Sequence, residues 1–174
     1  MELNDSMVFD VFEDYPIKGV NFFDIGSMLK NPRWIDFFKS EINKIAFVSR
    51  PDYVVGIESR GFIFGTVASY TLDCGFVMAR KPGKLPGKTV VGHYGKEYGK
   101  DTIEIQLEKI VPGKKYLLCD DILATGNTIK ATADLITQNG GIVCGILVYG
   151  EIDGLGARAI LEGYDIYSVV TLHE

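Results

Sequence analysis

Apolar positions along this chain recur with two alternating periods, one of about 3.6 residues and one of about 2. In "NPRWIDFFKSEINKIAFV" (31–48) they fall at helical spacing, with Asn31 and Pro32 where a cap and a first helical residue belong. "DYVVGI" (52–57) reads as a buried strand, "GFIFGTVASYTL" (61–72) as a helix and "GFVMAR" (75–80) as a further strand. After a break come the strictly alternating "DTIEIQL" (101–107), strand "KYLLCDD" (115–121), helix "NTIKATADLITQNG" (127–140) and strand "IVCGILVYG" (142–150). Helix "GLGARAILEG" (154–163) and strand "YDIYSVV" (164–170) close the series. Alternating strands and helices predict an α/β fold, a parallel sheet flanked by helices. Such sheets bind ligands beyond the carboxyl ends of their strands.

Two segments stand outside this pattern. Residues 1–30 are mixed and irregular, punctuated by Pro16, Gly19 and Gly26. Residues 81–100 hold five lysines, five glycines and two prolines among twenty residues, which predicts a long mobile loop or irregular ribbon. No repeat or linker-like shift in composition divides the chain, so all 174 residues are expected to form one domain.

Composition narrows the class. At 47% hydrophobic and 24% charged, the chain is globular, and its apolar runs are of strand length, which argues against a membrane span. The acidic "MELNDSMVFD" does not resemble a signal peptide, so a cytoplasmic protein is expected. Cys74, Cys119 and Cys144 lie far apart in apolar surroundings and read as buried thiols. His93 and His173, also far apart, do not suggest zinc, and a net charge of -5 argues against nucleic acid as a partner.

Three stretches could cradle a phosphate. "GKLPGKT" (83–89) has too few residues between its glycines for a nucleotide P-loop, and no helix follows it. "GLGARA" (154–159) opens a helix, but the chain that follows is too short to complete a dinucleotide-binding domain. "ATGNT" (Ala124, Thr125, Gly126, Asn127, Thr128) sits between a strand and a helix, where backbone N–H groups and the helix dipole converge. Asp120 and Asp121 precede it, and a buried carboxylate pair is costly without cations or hydroxyl donors. A ligand carrying both a phosphate and a diol, with Mg2+ nearby, would use both features.

"LLCDDILATGNT" resembles the phosphoribosyl-pyrophosphate (PRPP) motif of type I phosphoribosyltransferases, and Ala124 is similar to the adenine-specific version. "DYPIKGVNFFDIGSMLKNP" (14–32), "GIESRGFIFG" (56–65), "ARKPGKLPGKT" (79–89) and "EYGKDTIEIQ" (97–106) resemble segments of the adenine phosphoribosyltransferase family, in the same order. The resemblance implies a type I phosphoribosyltransferase fold with a small N-terminal hood, mainly 1–30, and a flexible catalytic loop at about 81–100. It implies conversion of adenine and PRPP into AMP and pyrophosphate, Mg2+ as cofactor, and a homodimer that builds part of the site from a neighbouring subunit.

Residue roles follow from the resemblance alone. Asp120 and Asp121 would accept hydrogen bonds from the ribose hydroxyls, with Mg2+ held mainly through PRPP and water near them. Ala124 to Thr128 would hold the 5'-phosphate. Glu58, Ser59 and Arg60 belong to the implied pyrophosphate loop, with a cis peptide expected at Glu58–Ser59. Arg80, Lys81 and Lys84 would add positive charge for the leaving group. Glu97, followed by Tyr98, would serve acid/base contact with the purine. Backbone groups of Val20 and Asn21 would read the base between Phe22 and Ile122.

Two positions depart from the family pattern: Phe23 stands where a basic residue is usual, and Asn127 where the phosphate loop usually has a second glycine. Two other readings keep the fold. One is transfer to hypoxanthine, guanine, xanthine or orotate; the other is a non-catalytic PRPP-binding regulator.

Overall fold

The computed structural model describes residues 9–94 and 101–173. A short hairpin of β1 (Asp10–Phe12) and β2 (Phe22–Asp24) leads into α1 (Gly26–Lys30) and α2 (Arg33–Ser49). There follow β3 (Tyr53–Ile57), α3 (Gly61–Thr71), β4 (Gly75–Ala79), β5 (Thr89–Tyr94) and β6 (Asp101–Gln106). The chain continues through β7 (Lys115–Leu123), α4 (Asn127–Gln138), β8 (Ile142–Ile152), α5 (Ala157–Ile160) and β9 (Ile166–Leu172).

The central sheet is parallel, in the order β4-β3-β7-β8-β9. From β3 the chain moves outward to β4, and from β7 outward in the other direction to β8 and β9. The strand order therefore reverses between β3 and β7, the position at which sheets of this kind open a crevice for ligands. Alternation along β7 feeds two cores. Leu117 and Cys119 pack with Trp34, Phe38, Phe64 and Tyr149 on one face of the sheet. Tyr116 and Leu118 join Ile103, Ile105, Leu135 and Ile136 on the other.

Four differences from the sequence pattern bear on the site. The irregular N-terminal segment contains the hairpin, fixed by Phe23, whose ring meets Phe9 edge-on at 6.4 Å; Phe9 in turn meets Tyr149 at 5.7 Å. The lysine-rich loop is partly β-structure: β5 pairs antiparallel with β6, and the ribbon lies on α4. Gly92 permits that packing, since a Cβ there would lie 3.0 Å from the Ala131 carbonyl. The closing helix is short, spanning only Ala157–Ile160. Helix α2 starts at Arg33, one residue later than expected, and Asn31 still caps it by accepting the Arg33 N–H at 3.1 Å. Among the described residues no helix is long and apolar enough to cross a membrane.

Candidate active site

Strand β7 does not stop at its two acids but runs through them to Leu123. Asp120 and Asp121 are therefore consecutive strand residues, and such side chains point to opposite faces of a sheet. Their other partners differ, although the two carboxyls interact. Asp121 is buried, with Oδ2 2.7 Å from Arg60 Nε. Asp120 shares a crevice of about 100 Å³ with Ile122 and Ala124 to Thr128. Its Oδ1 accepts the Asp121 N–H at 2.9 Å and packs on Gly61, where a Cβ would come within 2.8 Å. Burial, with the neighbouring Asp121 charge, pushes the Asp120 carboxyl well above the usual range.

The turn after β7 is built round a left-handed glycine at the start of α4. Gly126 caps α4 at φ +81°, and a Cβ there would crowd Leu161 Cδ1 at 3.2 Å and the Ala157 carbonyl at 3.3 Å. Both facts require glycine. Asn127, in place of a second glycine, donates its side-chain N–H to Thr125 Oγ1 at 3.1 Å.

Across the switch point, the segment after β3 carries the expected cis peptide at Glu58–Ser59. The Ser59 carbonyl accepts the Phe62 N–H at 3.1 Å, so Ser59 helps open α3. Arg60 is committed differently from the expected pyrophosphate contact. It pairs with Asp121, donates from Nη1 to the Phe23 carbonyl at 3.0 Å, and lies over the Phe22 ring at 5.2 Å. It thereby ties the hood to the sheet.

Arg80, Lys81 and Lys84 do come together, around Glu58. Its carboxylate accepts from Arg80 Nε at 3.2 Å, the Lys81 main-chain N–H at 2.8 Å and Lys84 Nζ at 2.5 Å. Burial pushes the Glu58 carboxyl up, yet the bonds from Lys84 and Lys81 and the charges of Lys84 and Arg80 outweigh it and hold it below its ordinary range. Glu104 fixes this corner, exchanging both main-chain bonds with Arg80 at 2.9 and 2.7 Å. Sequence reasoning missed the organising part of Glu58 and Glu104. Alternation placed Glu104 opposite Ile103 and Ile105, but no sequence signal named its partner.

The hood also differs from expectation. Val20 was expected to offer its backbone to a base, but its N–H donates to the Ile17 carbonyl at 3.2 Å and its carbonyl accepts from Tyr15 N at 3.0 Å. Phe22 has Arg60 over its ring and Tyr15 edge-on at 5.2 Å, and Ile122 lines the crevice at the turn 124–128. Phe12, Tyr15 and Phe22 line an apolar hollow of about 210 Å³, beside the Asn21 that precedes β2. Phe23 is a core residue. Glu97 and Tyr98 lie outside the described residues. Among the described residues no group of three or more His, Cys, Asp or Glu is placed to hold a metal.

The chain is similar to known proteins over nearly its whole length. The phosphoribosyl transferase domain family matches residues 28–152. The adenine phosphoribosyltransferase of Desulfitobacterium hafniense is 43% identical over 160 residues, 92% of each chain. The structure of the adenine phosphoribosyltransferase of Thermoanaerobacter pseudethanolicus superposes with a TM-score of 0.90 at 38% identity, covering 95% of this chain and 96% of that one. That of Saccharomyces cerevisiae, solved with adenine and an imino-altritol bisphosphate, gives a TM-score of 0.85 at 34% identity, covering 93% and 94%. With the type I phosphoribosyltransferase fold and near full-length identity both present, the chain belongs to the adenine phosphoribosyltransferase family.

Proposed function

We infer that this protein transfers the phosphoribosyl group of PRPP to adenine, giving AMP and pyrophosphate. N9 of the base bonds to C1' of the ribose, the bond from C1' to the pyrophosphate oxygen breaks with its electron pair leaving on pyrophosphate, and the N9 proton is released. The observation that carries the reading is the 43% identity with an adenine phosphoribosyltransferase across 92% of both chains. The topology supports it: Asp120 and the turn 124–128 line a crevice after β7, and Arg80 and Lys84 gather round Glu58 after the neighbouring strands β3 and β4.

In this reading Ala124 to Thr128 bind the 5'-phosphate through main-chain N–H groups at the start of α4 and the hydroxyls of Thr125 and Thr128. Asp120 accepts from a ribose hydroxyl. Asp121 acts beside it while holding Arg60, which would have to leave these contacts to reach the leaving group. Arg80, Lys81 and Lys84 draw the pyrophosphate. Asn21, Phe22 and Ile122 bound the base. By the resemblance, Glu97 and Tyr98 belong to the purine, with Glu97 handling the proton released from N9.

A cation fits this chain only as a guest of the substrate. Asp120 and Asp121 are two carboxylates, one of them already paired with Arg60, too few donors for a protein cage. Mg2+ keeps several waters and binds through one or two carboxylates and substrate phosphates, and when bound it neutralises charge on the pyrophosphate. A homodimer is the assembly proposed here, with the cationic corner reaching a neighbouring site, and the cytoplasm is the proposed location. The test is AMP formation from adenine and PRPP with and without Mg2+, run beside hypoxanthine, guanine, xanthine and orotate. Turnover of hypoxanthine without adenine would overturn the choice of base. PRPP binding with no base consumed would favour the regulator.

A further inference from the structure

We propose that Glu58 is a positioning residue whose carboxylate holds Arg80, the Lys81 N–H and Lys84 in the arrangement that receives pyrophosphate. The proposal rests on the phosphoribosyl-transfer reading above.

The geometry is that of a keystone. The Glu58 side chain is 6% exposed, while its partners Arg80 and Lys84 are 28% and 49% exposed and so still face solvent. Oε1 serves Lys84 alone; Oε2 serves Arg80 Nε and the Lys81 N–H. The segment carrying Glu58 is itself pinned, since the Glu58 N–H donates to the Ala79 carbonyl at 2.9 Å. Arg80 is held from three further sides. Its backbone pairs with Glu104, Nη1 donates to the Lys84 carbonyl at 3.2 Å, and the guanidinium lies 5.8 Å over Phe62. Glu104 Oε2 also accepts the Gly83 N–H at 3.4 Å.

Two side-chain cations share the buried Glu58 carboxylate, which fixes both in place while cancelling the charge of only one. Fixed cations lose less rotamer freedom when an anion arrives than free lysines on a glycine-rich loop would. A glutamine cannot replace Glu58. One of its two terminal atoms is an NH₂ donor, which would face either Lys84 or the Arg80–Lys81 pair, and the charge is lost.

The test uses the full chain and its Glu58→Gln and Glu58→Asp variants. Calorimetric titration with inorganic pyrophosphate and Mg2+, and separately with AMP, is set beside steady-state kinetics. For Glu58→Gln, the Kd of pyrophosphate and the KM for PRPP are expected to rise about tenfold, far more than kcat changes, with AMP affinity moving less than about twofold. Glu58→Asp should recover part of the loss, and in a Lys84→Gln background the Glu58→Gln effect should shrink, because Glu58 acts through that lysine. If Glu58→Gln does not fold, Glu58→Asp and Lys84→Gln must each still weaken pyrophosphate more than AMP. Pyrophosphate binding that is unchanged or tighter would overturn the proposal, as would equal loss of pyrophosphate and AMP. A wild-type protein that makes no AMP would instead overturn the transfer reading itself.

Discussion

Arg60 Nε sits 2.7 Å from Asp121 Oδ2, and the same guanidinium reaches the Phe23 carbonyl, so one side chain connects the end of β7 to the hood. Asp120, its neighbour, lines the crevice at the turn 124–128 and feels the Arg60 charge without the close ion pair that Asp121 makes. The two acids should therefore fail differently. Asp120→Asn is expected to lower kcat/KM for PRPP roughly ten- to a hundredfold with little change in adenine KM. Asp121→Asn should raise the KM for adenine as well, because it releases the residue that braces Phe22 and Phe23. Steady-state kinetics with each substrate varied in turn would separate them; identical profiles would mean that the acids act as one unit.

Gly126 offers a test of the cradle. An alanine there must hold a φ of +81° and push its Cβ against Leu161 and the Ala157 carbonyl. Gly126→Ala should cost about 1–3 kcal/mol of stability and weaken AMP binding more than adenosine binding. Adenosine lacks the 5'-phosphate, so equal losses for the two ligands would argue against a phosphate at this turn.

How much of this was legible in the sequence depends on whether a feature is local. The strand–turn–helix at 124–128 was readable because the residues that make it are adjacent in sequence. The paired acids were readable as a motif but not as an arrangement. The β-alternation that sends Asp120 and Asp121 to opposite faces was in the pattern, yet the strand read from the sequence ended with them and gave no sign that it ran on to Leu123. Glu58 and Lys84 are 26 residues apart and Arg60 and Phe23 are 37 apart, and no periodicity encodes such pairs. In the 81–100 segment, glycine and lysine content outweighed a six-residue alternation, so β5 was missed.

Glu97 lies outside the described residues, and its role comes from the resemblance of its loop. If it handles the purine proton, Glu97→Gln should keep PRPP binding within about twofold while lowering kcat by two orders of magnitude or more, about the range general acid–base groups contribute. Single-turnover kinetics would check that chemistry is the slowed step, and an unaltered kcat would remove Glu97 from the mechanism.

Glu58 also predicts a pH signature. Its pKa in the folded chain lies below the ordinary 4.5, so the unfolded chain binds the proton more readily. The stability it supplies is therefore present above about pH 4.5 and is lost as pH falls through the lower folded value. Unfolding free energies of wild type and Glu58→Gln should differ at neutral pH and converge below that range. A gap that stays constant down to pH 3 would mean that the carboxylate charge is not what holds the corner.

Phe22 and Phe23 are adjacent and alike, yet β2 turns them to opposite sides and gives them separable tasks. Phe23 is 4% exposed and fixed by Phe9. Truncating it empties part of the core that joins hood to sheet, which predicts a loss of about 3–5 kcal/mol for Phe23→Ala. Phe22 is partly open, and its ring supports Arg60 and borders the apolar hollow. Phe22→Ala should leave stability within about 1–2 kcal/mol of wild type but raise adenine KM about tenfold, because the flat surface against which a purine can rest is gone. Thermal unfolding beside adenine-dependent kinetics on both variants decides the matter. Were Phe22→Ala the unstable one, or Phe23→Ala the stable but base-blind one, the assignment of base contact and hood anchor would have to be exchanged.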